Sequence, residues 1–109
     1  MPERAIRVIG TPEFMTFYDG FLVGSSERIM IDNGLNRLKE NIASGEKIQR
    51  TQWPPLYVKR DSVKNLWKMN LSKQARLIYT IFSDSGGYSV LVLEVFLSHK
   101  SYNKRFGYS

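Results

Sequence analysis

The sequence predicts an α+β domain in which a short first strand and a helical hairpin precede a three-stranded antiparallel meander, in the order β-α-α-β-β-β. Three observations predict it. Leu66–Leu71, Ala75–Ile81 and Ser89–Leu97 are apolar, β-branched and aromatic runs separated by short polar breaks, the pattern of successive strands. Residues 12–42 instead repeat their apolar positions every three or four residues, as helices do. The chain has 109 residues, enough for one core and therefore one domain spanning 1–109.

The elements follow in order. Ala5–Ile9 alternates weakly and reads as the first strand. Thr11-Pro12-Glu13 opens a helix: threonine caps free amides, proline suits the first helical position, and glutamate favours the positive end of the helix dipole. Phe14, Phe17, Tyr18, Phe21 and Leu22 form one helical face, expected in the core. Gly24-Ser25-Ser26-Glu27 breaks this helix and caps a second, whose stripe is Ile31, Leu35, Leu38 and Ile42, with Gly45 as its stop. From Glu46 to Asp61 the two prolines in Trp53-Pro54-Pro55-Leu56-Tyr57 predict a partly extended loop rather than a helix. Trp53 there either stacks on a base or pins the loop to the core.

Composition narrows the function classes. With 42% hydrophobic and 24% charged residues the chain is an ordinary globular domain. No apolar run approaches the ~20 residues that span a bilayer, and no signal-like segment follows Met1, so a cytoplasmic protein without membrane contact is expected. The absence of cysteine removes disulfides and thiolate chemistry. One histidine and no dense carboxylate cluster argue against a metal site, and no cofactor is expected. Net charge is +6, but residues 1–44 carry five Lys/Arg against six Asp/Glu, while residues 45–109 carry eleven against four. Excess positive charge confined to the meander half points to a polyanionic partner, most often nucleic acid, with a surface that only confers solubility as the alternative.

Three polar residues interrupt the meander: Lys68, Arg76 and His99. If an odd number of residues joins the first two strands, Lys68 and Arg76 share a face, opposite or diagonal; a two-residue turn at Ser72-Lys73 would separate them. Counting back from the turn at Ser83–Gly87 pairs Arg76 near residues 95–97, which brings His99 beside it, with Lys100–Arg105 arching over the cluster. Lysine and arginine there would hold a phosphate and stabilise the charge of a pentacovalent transition state. Histidine would give or take a proton. RNA supplies its own nucleophile, the 2′-hydroxyl, so metal-free RNA cleavage is the economical enzyme reading.

Asn65-Leu66-Trp67-Lys68-Met69-Asn70-Leu71 followed by Ala75-Arg76-Leu77-Ile78-Tyr79 resembles the central hairpin of the RelE/ParE superfamily of type II toxin–antitoxin systems. The ending Ser98-His99-Lys100-Ser101-Tyr102-Asn103-Lys104-Arg105-Phe106-Gly107-Tyr108 resembles RelE-like proteins that close on His-Lys-x-Tyr and Arg-Phe-Gly-Tyr. The resemblance implies a ribosome-associated mRNA endonuclease (an mRNA interferase) that inhibits translation and is held inactive by an acidic antitoxin peptide. It implies catalytic roles for Lys68 and Arg76 on the phosphate, with His99 and Tyr102 as acid–base or base-stacking residues. Lys47, Arg50, Lys59, Arg60, Lys64, Lys73, Lys100, Lys104 and Arg105 are the basic residues expected to meet RNA. Two departures stand out: Asn70 replaces a second basic residue, and Gln74-Ala75 replaces glycine and an aromatic before Arg76. A non-catalytic RNA-, DNA- or ribosome-binding module and a ParE-like gyrase inhibitor are the alternatives.

Overall fold

The computed structural model describes residues 3–108. In chain order these form β1 (Val8–Gly10), α1 (Pro12–Asp19), α2 (Ser26–Glu40), β2 (Glu46–Lys47), α3 (Pro55–Asp61), β3 (Trp67–Asn70), β4 (Arg76–Asp84), β5 (Gly87–Phe96) and α4 (His99–Phe106), with a 3₁₀ turn at Arg50–Gln52. The class is α+β, with four helices on a five-stranded mixed open sheet of order β1-β5-β4-β3-β2. This is broader than the expected hairpin and meander. β1 pairs parallel with β5, β2 extends the other edge beside β3, and the remaining pairs are antiparallel.

Both helix starts in the hairpin follow the local chemistry. Thr11 Oγ1 accepts from the Phe14 amide at 3.1 Å, and Ser25 Oγ from the Arg28 amide at 3.2 Å. The helix ends differ from expectation. α1 stops at Asp19, capped by Gly20, so the aromatic stripe outlasts its helix and Leu22 is left 83% exposed. α2 stops at Glu40 because Asn41 is already extended, so Gly45 is not its stop. Gly45 serves a distant contact: a Cβ there would lie 2.3 Å from the Lys68 carbonyl oxygen. Its amide donates to the Tyr79 hydroxyl, which in turn donates to the Ile42 carbonyl at 2.9 Å. Burial pushes that phenol up to about 12.

The stretch 46–61 is not a loop. Besides β2 and the 3₁₀ turn it forms α3, and the prolines start that helix rather than forbid it. Pro55 occupies the first turn, where a missing N–H removes no intrahelical bond, and Pro54 supplies the extended residue before it. Trp53 takes the pinning role, its indole N–H donating to the Ile48 carbonyl at 2.9 Å. Tyr57 is fully buried.

The sheet separates two apolar layers. On one face α1 and α2 pack Phe14, Ile31 and Leu38 against Met69, Leu77, Tyr79, Val90, Val92 and Val95. On the other, α3 and α4 pack Tyr57, Tyr102 and Phe106 against Leu66, Ile78, Leu93 and Phe96. A bulge sets the second layer. Ile78 pairs with Glu94 but Tyr79 pairs with Val92, so Leu93 is an extra residue and both Leu93 and Glu94 turn toward α3 and α4. Glu94 there accepts from the Tyr57 hydroxyl at 2.7 Å and from Arg105 through two bonds of 3.0 Å each. One carboxylate thus ties α3, β5 and α4 together.

At the opposite end of the sheet Asp84 accepts from Arg7 at 2.7 Å, Ser89 at 2.8 Å and the Ser85 amide at 2.9 Å. Chiefly the Arg7 bond, helped by Ser89, lowers its carboxyl from the ordinary 3.8 to about 2. The unfolded chain therefore takes up this proton before the folded one does. Stability from Asp84 is complete above about pH 4 and is lost as pH falls toward 2. Asp84→Asn should flatten the dependence of the urea midpoint on pH in that window; an unchanged slope would show that Asp84 does not couple folding to acid.

Candidate functional site

The connection from β3 to β4 is Leu71–Ala75, so the register has even sums: Asn70 lies across from Arg76, and Lys68 across from Ile78. Lys68 and Arg76 consequently share a face as diagonal neighbours, with Cα atoms about 7–8 Å apart. Arg76 also pairs with Phe96, so the chain leaving β5 passes close to it. Ser98 then caps α4, its Oγ accepting from the Ser101 amide at 3.2 Å, which makes His99 the first residue of the helix. His99 Nε2 lies 3.1 Å from the Lys73 carbonyl oxygen. The same oxygen accepts from Arg76 Nη1 at 3.2 Å, and Nη1 also reaches the Ser72 and Ala75 carbonyls at 3.2 and 3.1 Å. A single turn therefore gathers the arginine and the histidine.

Tyr102 sits one helical turn after His99 and is buried, its ring stacked on Phe106 at 4.6 Å and edge-on to Phe96 at 5.9 Å. Burial is the main cause that raises its hydroxyl pKa; Tyr108 and Glu46 raise it further, and Arg76 opposes them. A phenol held in its protonated form donates hydrogen bonds and is poorly suited to act as a base. Tyr108 lies beside Tyr102, ring centres 6.0 Å apart, and the charges of Glu46 and Arg76 are both felt at the Tyr102 hydroxyl. Glu46 is a site residue that sequence reasoning missed. It lies on β2 directly across from Lys68, on the same face. Among the described residues, no salt bridge within 4.0 Å engages Lys68, Arg76 or Glu46.

The remaining basic residues are scattered. Lys73 is exposed in the turn beside Arg76 and His99, and Lys100 and Lys104 are exposed on α4. Lys47 lies across from Trp67, and alternation turns it to the face opposite Lys68. Arg50 is held with its guanidinium 5.4 Å from the Trp53 ring centre, and Lys59 is exposed on α3. Arg60 pairs with Asp61 at 3.1 Å and Glu13 at 3.9 Å, and Arg105 is held by Glu94, so both have structural partners. Lys64 borders a cavity of about 560 Å³ that also includes Ser83 and Tyr88, at the far end of β4 from Arg76. A groove of about 620 Å³ runs between α1 and α4 over Phe96 and Leu97, with Lys104 on its lining; Lys68, Arg76 and His99 do not line it.

Chemically, the cluster offers two cations for an anionic group, an imidazole, a protonated phenol and a carboxylate. His99 and Glu46 are exposed, Lys68 and Arg76 half-buried, and Tyr102 buried. Among the described residues no three His, Asp or Glu side chains gather as a metal-binding group, and no helix is long and apolar enough to cross a membrane. Comparison of the chain with protein-family models, with characterised proteins and with solved structures found no match to any of them.

Proposed function

We propose that this protein is a RelE-like toxin, an endoribonuclease that cuts translated messages in the cytoplasm and is restrained by an acidic antitoxin peptide. The observation that supports it most is the convergence of Lys68, Arg76, His99 and Tyr102 at one end of the sheet, on the half of the chain that holds the excess positive charge. In this reading the 2′-oxygen of the RNA attacks the adjacent phosphorus and the 5′-oxygen leaves, giving a cyclic 2′,3′-phosphate and a 5′-hydroxyl. Lys68 and Arg76 stabilise the charge on the phosphoryl oxygens. A base, for which Glu46 is placed across from Lys68, takes the 2′-proton, and His99 or Tyr102 returns one to the leaving oxygen. Sequencing of 5′ ends from cells expressing the protein should show site-specific cuts in translated messages that end in 5′-hydroxyls.

Two observations favour a second reading, a binding module on the same face. Asn70, uncharged, lies across from Arg76, and one guanidinium nitrogen of Arg76 is already engaged by three carbonyls. That reading expects salt-sensitive association and intact messages.

A further inference from the structure

The turn between β3 and β4 is built by its first polar residue. Ser72 Oγ accepts from the Ala75 amide at 3.0 Å and from the Gln74 amide at 3.3 Å. The Leu71 amide closes the same turn on the Ala75 carbonyl at 3.0 Å. A serine hydroxyl that captures amides two and three residues ahead bends the backbone sharply. Three turn carbonyls, those of Ser72, Lys73 and Ala75, are thereby left facing Arg76 Nη1. The Lys73 carbonyl has two lone pairs and also meets His99 Nε2.

A carbonyl only accepts hydrogen bonds, so Nε2 must be the protonated nitrogen of a neutral His99. Nδ1 then carries the lone pair. We infer that Ser72 is a positioning residue: by shaping the turn it aims the Lys73 carbonyl, which orients the Arg76 guanidinium and fixes His99 as its Nε2–H tautomer, leaving Nδ1 as the atom that gains or loses the catalytic proton. The catalytic part of this inference rests on the proposed endonuclease reading; the tautomer does not. Ser72 needs no contact with RNA to matter, because small displacements of reacting groups are costly.

His99 is the only histidine in the chain, so nitrogen NMR reads its tautomer from one residue. At a pH where the imidazole is neutral, the wild-type protein should show the Nε2–H form. Ser72→Ala should mix the two tautomers and lose exchange protection at the Ala75 amide, while Ser72→Thr should restore both. An Nδ1–H form in the wild-type protein overturns the inference even if Ser72→Ala fails to fold, and so does a tautomer indifferent to Ser72→Ala. In cleavage assays Ser72→Ala should lower kcat by about 10- to 100-fold with KM held, and Ser72→Thr should recover most of it. A KM effect alone would also overturn the positioning role. Absence of cleavage by the wild-type protein would refute the endonuclease reading while leaving the tautomer result to stand by itself.

Discussion

Under the proposed endonuclease reading, Arg76→Ala is expected to lower message cleavage by about 10²–10³-fold, the usual consequence of removing one preorganised group that meets developing transition-state charge. Arg76 is half-buried at the start of β4, with Nη1 fastened to the turn and its position fixed by Asn70 on one side and Phe96 on the other. A guanidinium held by one nitrogen presents the others at a set angle, so Arg76→Lys should recover little: an ammonium is a point charge without the planar fork. Loss of the turn bonds should cost only about 1 kcal/mol of stability, because the carbonyls left behind are near solvent. Growth inhibition and mapped 5′ ends should therefore disappear from cells in which the variant accumulates and melts normally. Full toxicity of a folded Arg76→Ala protein would remove the mechanism proposed for this site.

The largest effect on stability is expected at Tyr57. Its ring is fully buried between α3 and the sheet, 6.2 Å from Phe106, and its hydroxyl donates to Glu94. Desolvation, with the Glu94 bond and charge next, holds that phenol far above its ordinary range. Tyr57→Ala should cost about 3–5 kcal/mol in urea unfolding, as truncation of a buried aromatic does. Tyr57→Phe keeps the packing and leaves Glu94 bound to Arg105, so about 1 kcal/mol is expected. Equal losses in the two variants would mean that the hydroxyl, rather than the ring, anchors α3. Because Tyr102 and Phe106 share this layer, Tyr57→Ala should also loosen α4 and reduce cleavage through His99.

What could be read from the residues was whatever short-range chemistry decides. Thr11 and Ser25 announce their helices because a cap is satisfied within three residues. For Lys68 and Arg76 the residues narrowed the question to the parity of one connection, odd or a two-residue turn, and the register has it odd. The failures have long-range causes. Gly45 has the look of a helix terminator, but its requirement for no side chain comes from the Lys68 carbonyl, far along the chain. Pro54-Pro55 is ambiguous by itself, since the same pair breaks one helix and begins another. β2 has only two residues, too few for any period, and with it Glu46 escaped notice. Glu94 could not be placed because an unseen bulge reverses its face.

The parallel pairing of Val8–Gly10 with Val90–Val92 joins segments more than eighty positions apart. Such closure is slow, because the intervening chain must be organised before the contact rewards it. While the polypeptide is still being synthesised, the hairpin of α1 and α2 has no sheet to cover it, and the cluster around Arg76 does not yet exist. The cluster around Arg76 therefore forms only after nearly all of the residues described here have left the machinery that makes them.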